Sequence, residues 1–175
     1  MPDLKTLLDL FYEDSAQCGL FARVSGEDMP AVYNGLLNHD NHMTVTVEAF
    51  HGSLVDVEVL ETRTSGDHYS RKIVLSRRSD GKNVQYGIVR LNTSLLKDDV
   101  RDEIKSCVEP LGRVLIRHNV MRRVELVSLW RVEPGPELQS LFGSDQITYG
   151  RTALIHVNHE PAVELFEIVS PVANP

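Results

Sequence analysis

The sequence predicts a mixed α+β chain, and three observations lead to that class. Apolar residues recur at helical spacing before position 52 and again around Val100 to Ile116. Several later runs alternate apolar and polar residues as strands do. The stretch His68 to Asn92 reads as a hairpin, because the Asp80-Gly81 pair separates two strand-like runs. At 175 residues the chain accommodates a single domain, 1–175, with a core and one buried pocket, and leaves no room for a second catalytic domain.

The elements follow in order. Leu4, Leu7, Leu8 and Phe11 give a short amphipathic helix over 3–12. Asp28 is placed to cap a second helix with Pro30 in its first turn and Val32, Leu36 and Leu37 along one side. From His42 to Gly52 the alternating Thr44 to Val47 run competes with the helical spacing of Met43, Val47 and Phe50; Gly52 as a C-terminal cap favours helix. Leu54 to Thr62 is a half-exposed strand, and 63–67 a turn into the hairpin. Asp98 and Asp99 open a helix that carries Val100, Ile104, Cys107 and Val108 and stops at Pro110. Leu111-Gly112 then begins a second short segment, whose free backbone N–H groups suit an anion. Val120 to Val132 is a long strand with Val124, Leu126 and Trp130 on one face. A short helix at 135–143, strands at 147–157 and 162–169, and a mobile tail from Val172 to Pro175 complete the chain.

The hairpin poses the functional question. Side chains alternate along a strand, so Tyr69, Arg71, Ile73 and Leu75 share a face and Arg71 points toward core residues. A guanidinium stays charged inside a protein, so an inward arginine needs a carboxylate or an anionic ligand. On the last strand Glu167 lies with Val163, Leu165 and Val169, and Glu164 with Ala162, Phe166 and Ile168, so each face carries one acid among apolar neighbours. Arg71 and Glu167 either pair with each other or grip the two ends of a small, flat, polar-ended ligand.

Composition narrows the classes. A net charge of -7 argues against sequence-independent nucleic-acid binding, which needs a basic surface. Cys18 and Cys107 show no paired spacing, so no disulfide framework or structural zinc is expected. No apolar run approaches the roughly 18 residues of a membrane span, and the acidic N-terminus is unlike a signal peptide; a soluble cytoplasmic protein is the expectation. The seven histidines lack metal-ligand spacing. Ser70, His118 and Asp145 lack a nucleophile elbow. Arg113, Arg117, His118, Arg122 and Arg123 read as a solvated basic face or a rim that attracts an acid. Gly150-Arg151 lacks the spacing of a phosphate loop.

Four segments together resemble the chorismate lyase-like family. They are His42-Met43-Thr44 with the following VEAFHG, the YSRKIVL run from Tyr69, the PLGRVLI run from Pro110, and Tyr149-Gly150-Arg151 leading to Glu167-Ile168-Val169-Ser170-Pro171; the match is strongest over 42–171. The resemblance implies one α+β domain, a mostly antiparallel sheet with helices closing over an internal pocket. It implies a cofactor-free carbon–oxygen lyase that eliminates pyruvate from chorismate to give a hydroxybenzoate. Arg71 and Glu167 would be catalytic, and Arg71, Met43, Leu111, Gly112, Arg151 and Glu167 would bind the substrate, with no metal. Glu164 is the alternative site acid. The competing reading is a non-catalytic domain of the same fold that binds a small aromatic acid. In either case the expected partner is a small molecule, without nucleic acid or membrane, and the expected state is a monomer or weak dimer.

Overall fold

The computed structural model describes residues 2–120 and 122–173 and is built on one antiparallel sheet, whose strand order is β1-β5-β6-β7-β4-β3-β2. The strands are β1 (Gly19–Val24), β2 (Val55–Ser65), β3 (His68–Arg77), β4 (Asn83–Asn92), β5 (Arg122–Pro134), β6 (Thr148–Val157) and β7 (Glu160–Val169). The helices are α1 (Leu4–Asp9), α2 (Ala31–Leu37), α3 (Met43–His51), α4 (Asp98–Lys105), α5 (Leu111–Arg117) and α6 (Pro136–Phe142). Gly52, at φ 61°, ends α3 in the left-handed cap that resolves the ambiguity of that stretch in favour of helix.

The sheet is covered on both faces, which is why its central strands carry few polar residues. α1 and α6 pack on one face with Tyr86, Ile88, Phe166 and Ile168. On the other, the helices α2 to α5 bury two clusters, one around Met43, Ile73 and Leu75 and one around Val89, Ile104 and Leu165. Burying an aliphatic side chain contributes about 1.5–3 kcal/mol, so these two layers supply most of the driving force for folding. The hairpin forms as its sequence predicts: Arg71 opposes Val89 and Ile73 opposes Gly87.

Several boundaries differ from the sequence reading. β1 was not anticipated; its run GLFARV has too little alternation to stand out, and it forms because it pairs along the edge of β5. Pro30, rather than Asp28, occupies the N-cap of α2, while Asp28 closes a preceding 3-10 turn. The register of β5 against β6 shifts between Leu126 and Ser128. The extra residue, Val127, turns Trp130 to the face opposite Val124 and Leu126, where its indole donates to the Thr152 hydroxyl at 3.2 Å. Of the expected mobile tail, Val172 donates its backbone N–H to the Tyr33 hydroxyl at 2.8 Å, and Asn174 and Pro175 lie outside the described residues. Among the described residues no helix is long and apolar enough to cross a membrane.

Candidate functional site: two buried arginines and a small cavity

The helix-covered face of β3, β4, β7 and β6 carries two arginines with no exposed surface, Arg71 and Arg151. Their surroundings differ. Arg151 pairs with Glu167 across the β6–β7 ladder, and its Nε donates to Glu167 Oε2 at 2.8 Å. Its Nη1 donates to the His39 carbonyl at 2.8 Å and its Nη2 to the Asn41 carbonyl at 3.0 Å. The side chain thus ties the α2–α3 loop to the sheet. Gly150 makes the close approach of β6 and β7 possible, since a Cβ there would meet the Glu167 carbonyl at 2.6 Å.

Arg71 has no such set. Its Nη1 donates to the Ile104 carbonyl, near the end of α4, at 3.2 Å, and its Nε and Nη2 are buried with no partner among the described residues. Burial holds its pKa below the usual guanidinium value, an effect opposed by the neighbouring Tyr69 phenol and Cys107 thiol. Tyr69 Oη lies 3.4 Å from Cys107 Sγ, in a turn where Cys107 adopts a φ of 61°. Left-handed backbone is uncommon for a residue with a side chain and marks a locally strained connection between α4 and α5.

Between the sheet and the starts of α3 and α5 is a small cavity of about 30 Å³. Met43, Leu111, Gly112, Arg151 and Glu167 all line it, so the structure brings together five of the residues singled out in the sequence. Arg71 shares their sheet face but is absent from the lining; its head lies beneath α4. Glu164 faces the opposite layer, where Arg90 binds it at 3.0 Å, and does not line the cavity. Neither the Arg71–Glu167 pair nor a free Glu167 is present, because Arg151 on the adjacent strand is the nearer cation.

The helix starts meet closely. A Cβ on Gly112 would lie 3.3 Å from both His42 Nδ1 and Thr44 Oγ1, so glycine permits the contact. Neither N-cap residue, His42 or Pro110, makes a side-chain capping bond, which leaves first-turn N–H groups directed at this region. His42 Nε2 accepts from Arg122 Nε at 2.7 Å. Burial, with the Arg122 and Arg151 charges, pushes the His42 pKa down to about 4, so the ring is neutral at physiological pH. His42 and Val124 also form the wall between the cavity and an open surface groove beside α3 and β5.

The lining also includes Thr44, His42 and Gln85, none of which was named as a site residue from the sequence. Gln85 was detectable by alternation, since it shares a face with Gly87 and Val89. Most of the basic cluster is paired with acids: Arg113 binds Glu48, Arg117 binds Glu103 and Glu109, and Arg123 binds Glu125, whereas Arg122 donates to His42 and the Val120 carbonyl. Both cysteines are free, Cys18 buried and Cys107 partly so.

The chain matches no protein-family model and no curated protein in sequence. Among solved structures it is similar to PhnF from Mycobacterium smegmatis, with a TM-score of 0.56 and 13% identity over 74% of this chain and 64% of that one. It is also similar to the ligand-binding domain of a protein described as a GntR-family transcriptional regulator from Bordetella bronchiseptica, with a TM-score of 0.50 and 14% identity over 66% of this chain and 84% of that one. The chain therefore spans less than two thirds of the PhnF structure, and at these identities the likeness is one of fold.

These findings correct the family reading. The fold is an antiparallel sheet with helices similar to that of these two structures, and the assignment to the chorismate lyase-like family and its fold is overturned. The lyase function falls with it. Neither similar structure is described as a lyase, and the expected chemistry of chorismate, pyruvate and hydroxybenzoate has no support. The physical reason is that runs such as YSRKIVL and PLGRVLI encode a strand face and a proline-started helical turn. Such pieces specify layers and a pocket wall, not a reaction.

Proposed function

We propose that this chain is a ligand-binding domain for a small anionic molecule and carries out no reaction on it. One observation bears most of the weight: Arg71 is wholly buried, no carboxylate pairs with it among the described residues, and two of its nitrogens have no partner. A buried charge left in this state is destabilising unless something else completes it, and an anion from solution would do so. The second support is the Bordetella protein, in which a domain of this fold is described as ligand-binding.

The proposed division of labour follows from chemistry. Arg71 supplies the charge, and the Leu111 and Gly112 N–H groups at the start of α5 add neutral donors. Met43 and the aliphatic side chains of β3 and β7 provide an apolar wall that favours a ring. Arg151 and Glu167 are already bonded to each other and form a fixed polar end. A cavity of about 30 Å³ holds water but no ring. Binding therefore requires α4 and α5 to move away from the sheet. The Arg71–Ile104 bond and the left-handed turn at Cys107 are the contacts that would yield.

The test is calorimetric titration of the purified chain with benzoate and with inorganic phosphate, repeated on Arg71→Met. Saturable binding of either anion, lost in the variant, with the ligand recovered unchanged, is the expected result. Equal binding by wild type and variant, or none by either, overturns the proposal.

A further inference from the structure

Resting on the reading above, we infer that Gln85 decides which ligand the cavity accepts, and that the ligand presents to it a hydrogen-bond donor, an N–H or O–H at the end remote from its acid group. Gln85 is 2% exposed and lines the cavity, yet its Oε1 has no hydrogen-bond partner. Among the described residues it is the one cavity-lining side chain with a buried polar atom left unpartnered.

Its neighbours on the sheet do not supply the missing partner. Arg151 directs its three nitrogens to Glu167, His39 and Asn41. The Thr148 hydroxyl donates to the Val169 carbonyl, beside the point where Val169 opposes Gln85. The flanking strand positions on this face, Leu75, Gly87 and Val169, offer no side-chain donor. A buried amide without a partner lowers stability, and an apolar side chain of the same length would pack here without that penalty. The amide is therefore best explained by a partner that is not part of the protein.

The spacing defines the ligand class. Gln85 stands four positions along β4 from Val89, which opposes Arg71, and a strand rises ~3.3 Å per residue, so the two strand positions are about 13 Å apart. Side chains converging from both ends leave a span suited to one six-membered ring with an acid at one end and a donor at the other. A site that contains an unpaired acceptor rejects an isosteric ligand without the donor, since binding it would leave the amide unpaired a second time.

Two measurements on wild type and Gln85→Met test the inference. The first needs no ligand: the melting temperature of the empty protein is expected to rise in the variant by about 1–4 °C. A fall would mean that the amide is already satisfied, by water or by the protein, and would overturn the inference. The second titrates 4-aminobenzoate and 4-methylbenzoate, which differ in shape very little and in donor capacity completely. Wild type is expected to prefer the amine by about tenfold or more and the variant to lose or reverse that preference. Binding of both acids in an Arg71-dependent manner, with no preference in wild type or with the same preference in the variant, overturns the role of Gln85 and leaves the anion-binding reading intact. Binding of neither overturns both.

Discussion

Arg71 and Arg151 occupy the same face of the same sheet and are equally removed from solvent, yet only one is finished. Arg151 has a carboxylate and two backbone carbonyls; Arg71 has a single carbonyl and, among the described residues, two nitrogens without a partner. Burial alone therefore does not distinguish a charge that the fold pairs from one that it leaves unpaired. What distinguishes them is whether the fold supplies the counter-charge. Arg151 is a tie between the sheet and the α2–α3 loop, and removing it should damage the fold. In the proposed role Arg71 has the opposite profile: it would cost stability in the empty protein and acquire value when an anion arrives.

The sharpest way to break the comparison is at Arg151. Arg151→Met leaves Glu167 buried without its cation and frees two loop carbonyls, and we expect a loss of about 3–5 kcal/mol in urea denaturation. An unchanged midpoint would show that Glu167 finds another partner. Gly150→Ala forces a methyl group against the Glu167 carbonyl; such overpacking costs about 1–3 kcal/mol, measured by the same denaturation. In contrast, Arg71→Met should leave the empty protein as stable as wild type or raise its stability by about 1–4 kcal/mol. A destabilisation similar to that of Arg151→Met would show that the two arginines do the same job.

Acid provides a smaller perturbation at the cavity wall. His42 has its pKa lowered to about 4 in the folded state, below the ordinary value of about 6.5 expected when unfolded. The unfolded chain therefore binds more protons between these values. The stability that His42 contributes is complete above about pH 6.5 and is lost as the pH falls toward about 4. Because Arg122 is one cause of the shift, Arg122→Met should reduce this acid-linked loss, seen as a flatter plot of melting temperature against pH over that window. The smallest effect is expected for Gly112→Ala. Its methyl group would lie 3.3 Å from His42 Nδ1 and Thr44 Oγ1, a contact relieved by shifts of a few tenths of an ångström, with a change of less than about 1.5 kcal/mol.

Much of the layer structure was legible from local patterning. The hairpin, α3 with its Gly52 cap, the α4–α5 pair and the long β5 all follow from spacing and cap residues. Arg71 was identified as a misplaced charge by alternation alone, since the period of a strand fixes which face a residue joins. The partner of Glu167 was not legible. Its nearest cation is set by the β6–β7 register, which joins positions 151 and 167 through pairing that no local run encodes. For the same reason β1 escaped notice, and Trp130 was assigned to the wrong face until the Val127 bulge was seen.

By itself the sequence determined most of the strands and helices and, where no bulge intervenes, which face a strand residue takes, because torsional preference and side-chain alternation act over a few neighbours. It also determined that a guanidinium would be buried at position 71. The tertiary structure decided which charges meet, which remain unmatched, and whether space is left beside them. Those outcomes depend on register between strands distant in sequence and on how closely two helix starts can approach. Motif likeness suggested a reaction; the unmet hydrogen bonds of Arg71 beneath α4 and of Gln85 in the cavity are what the proposed binding role is built on instead.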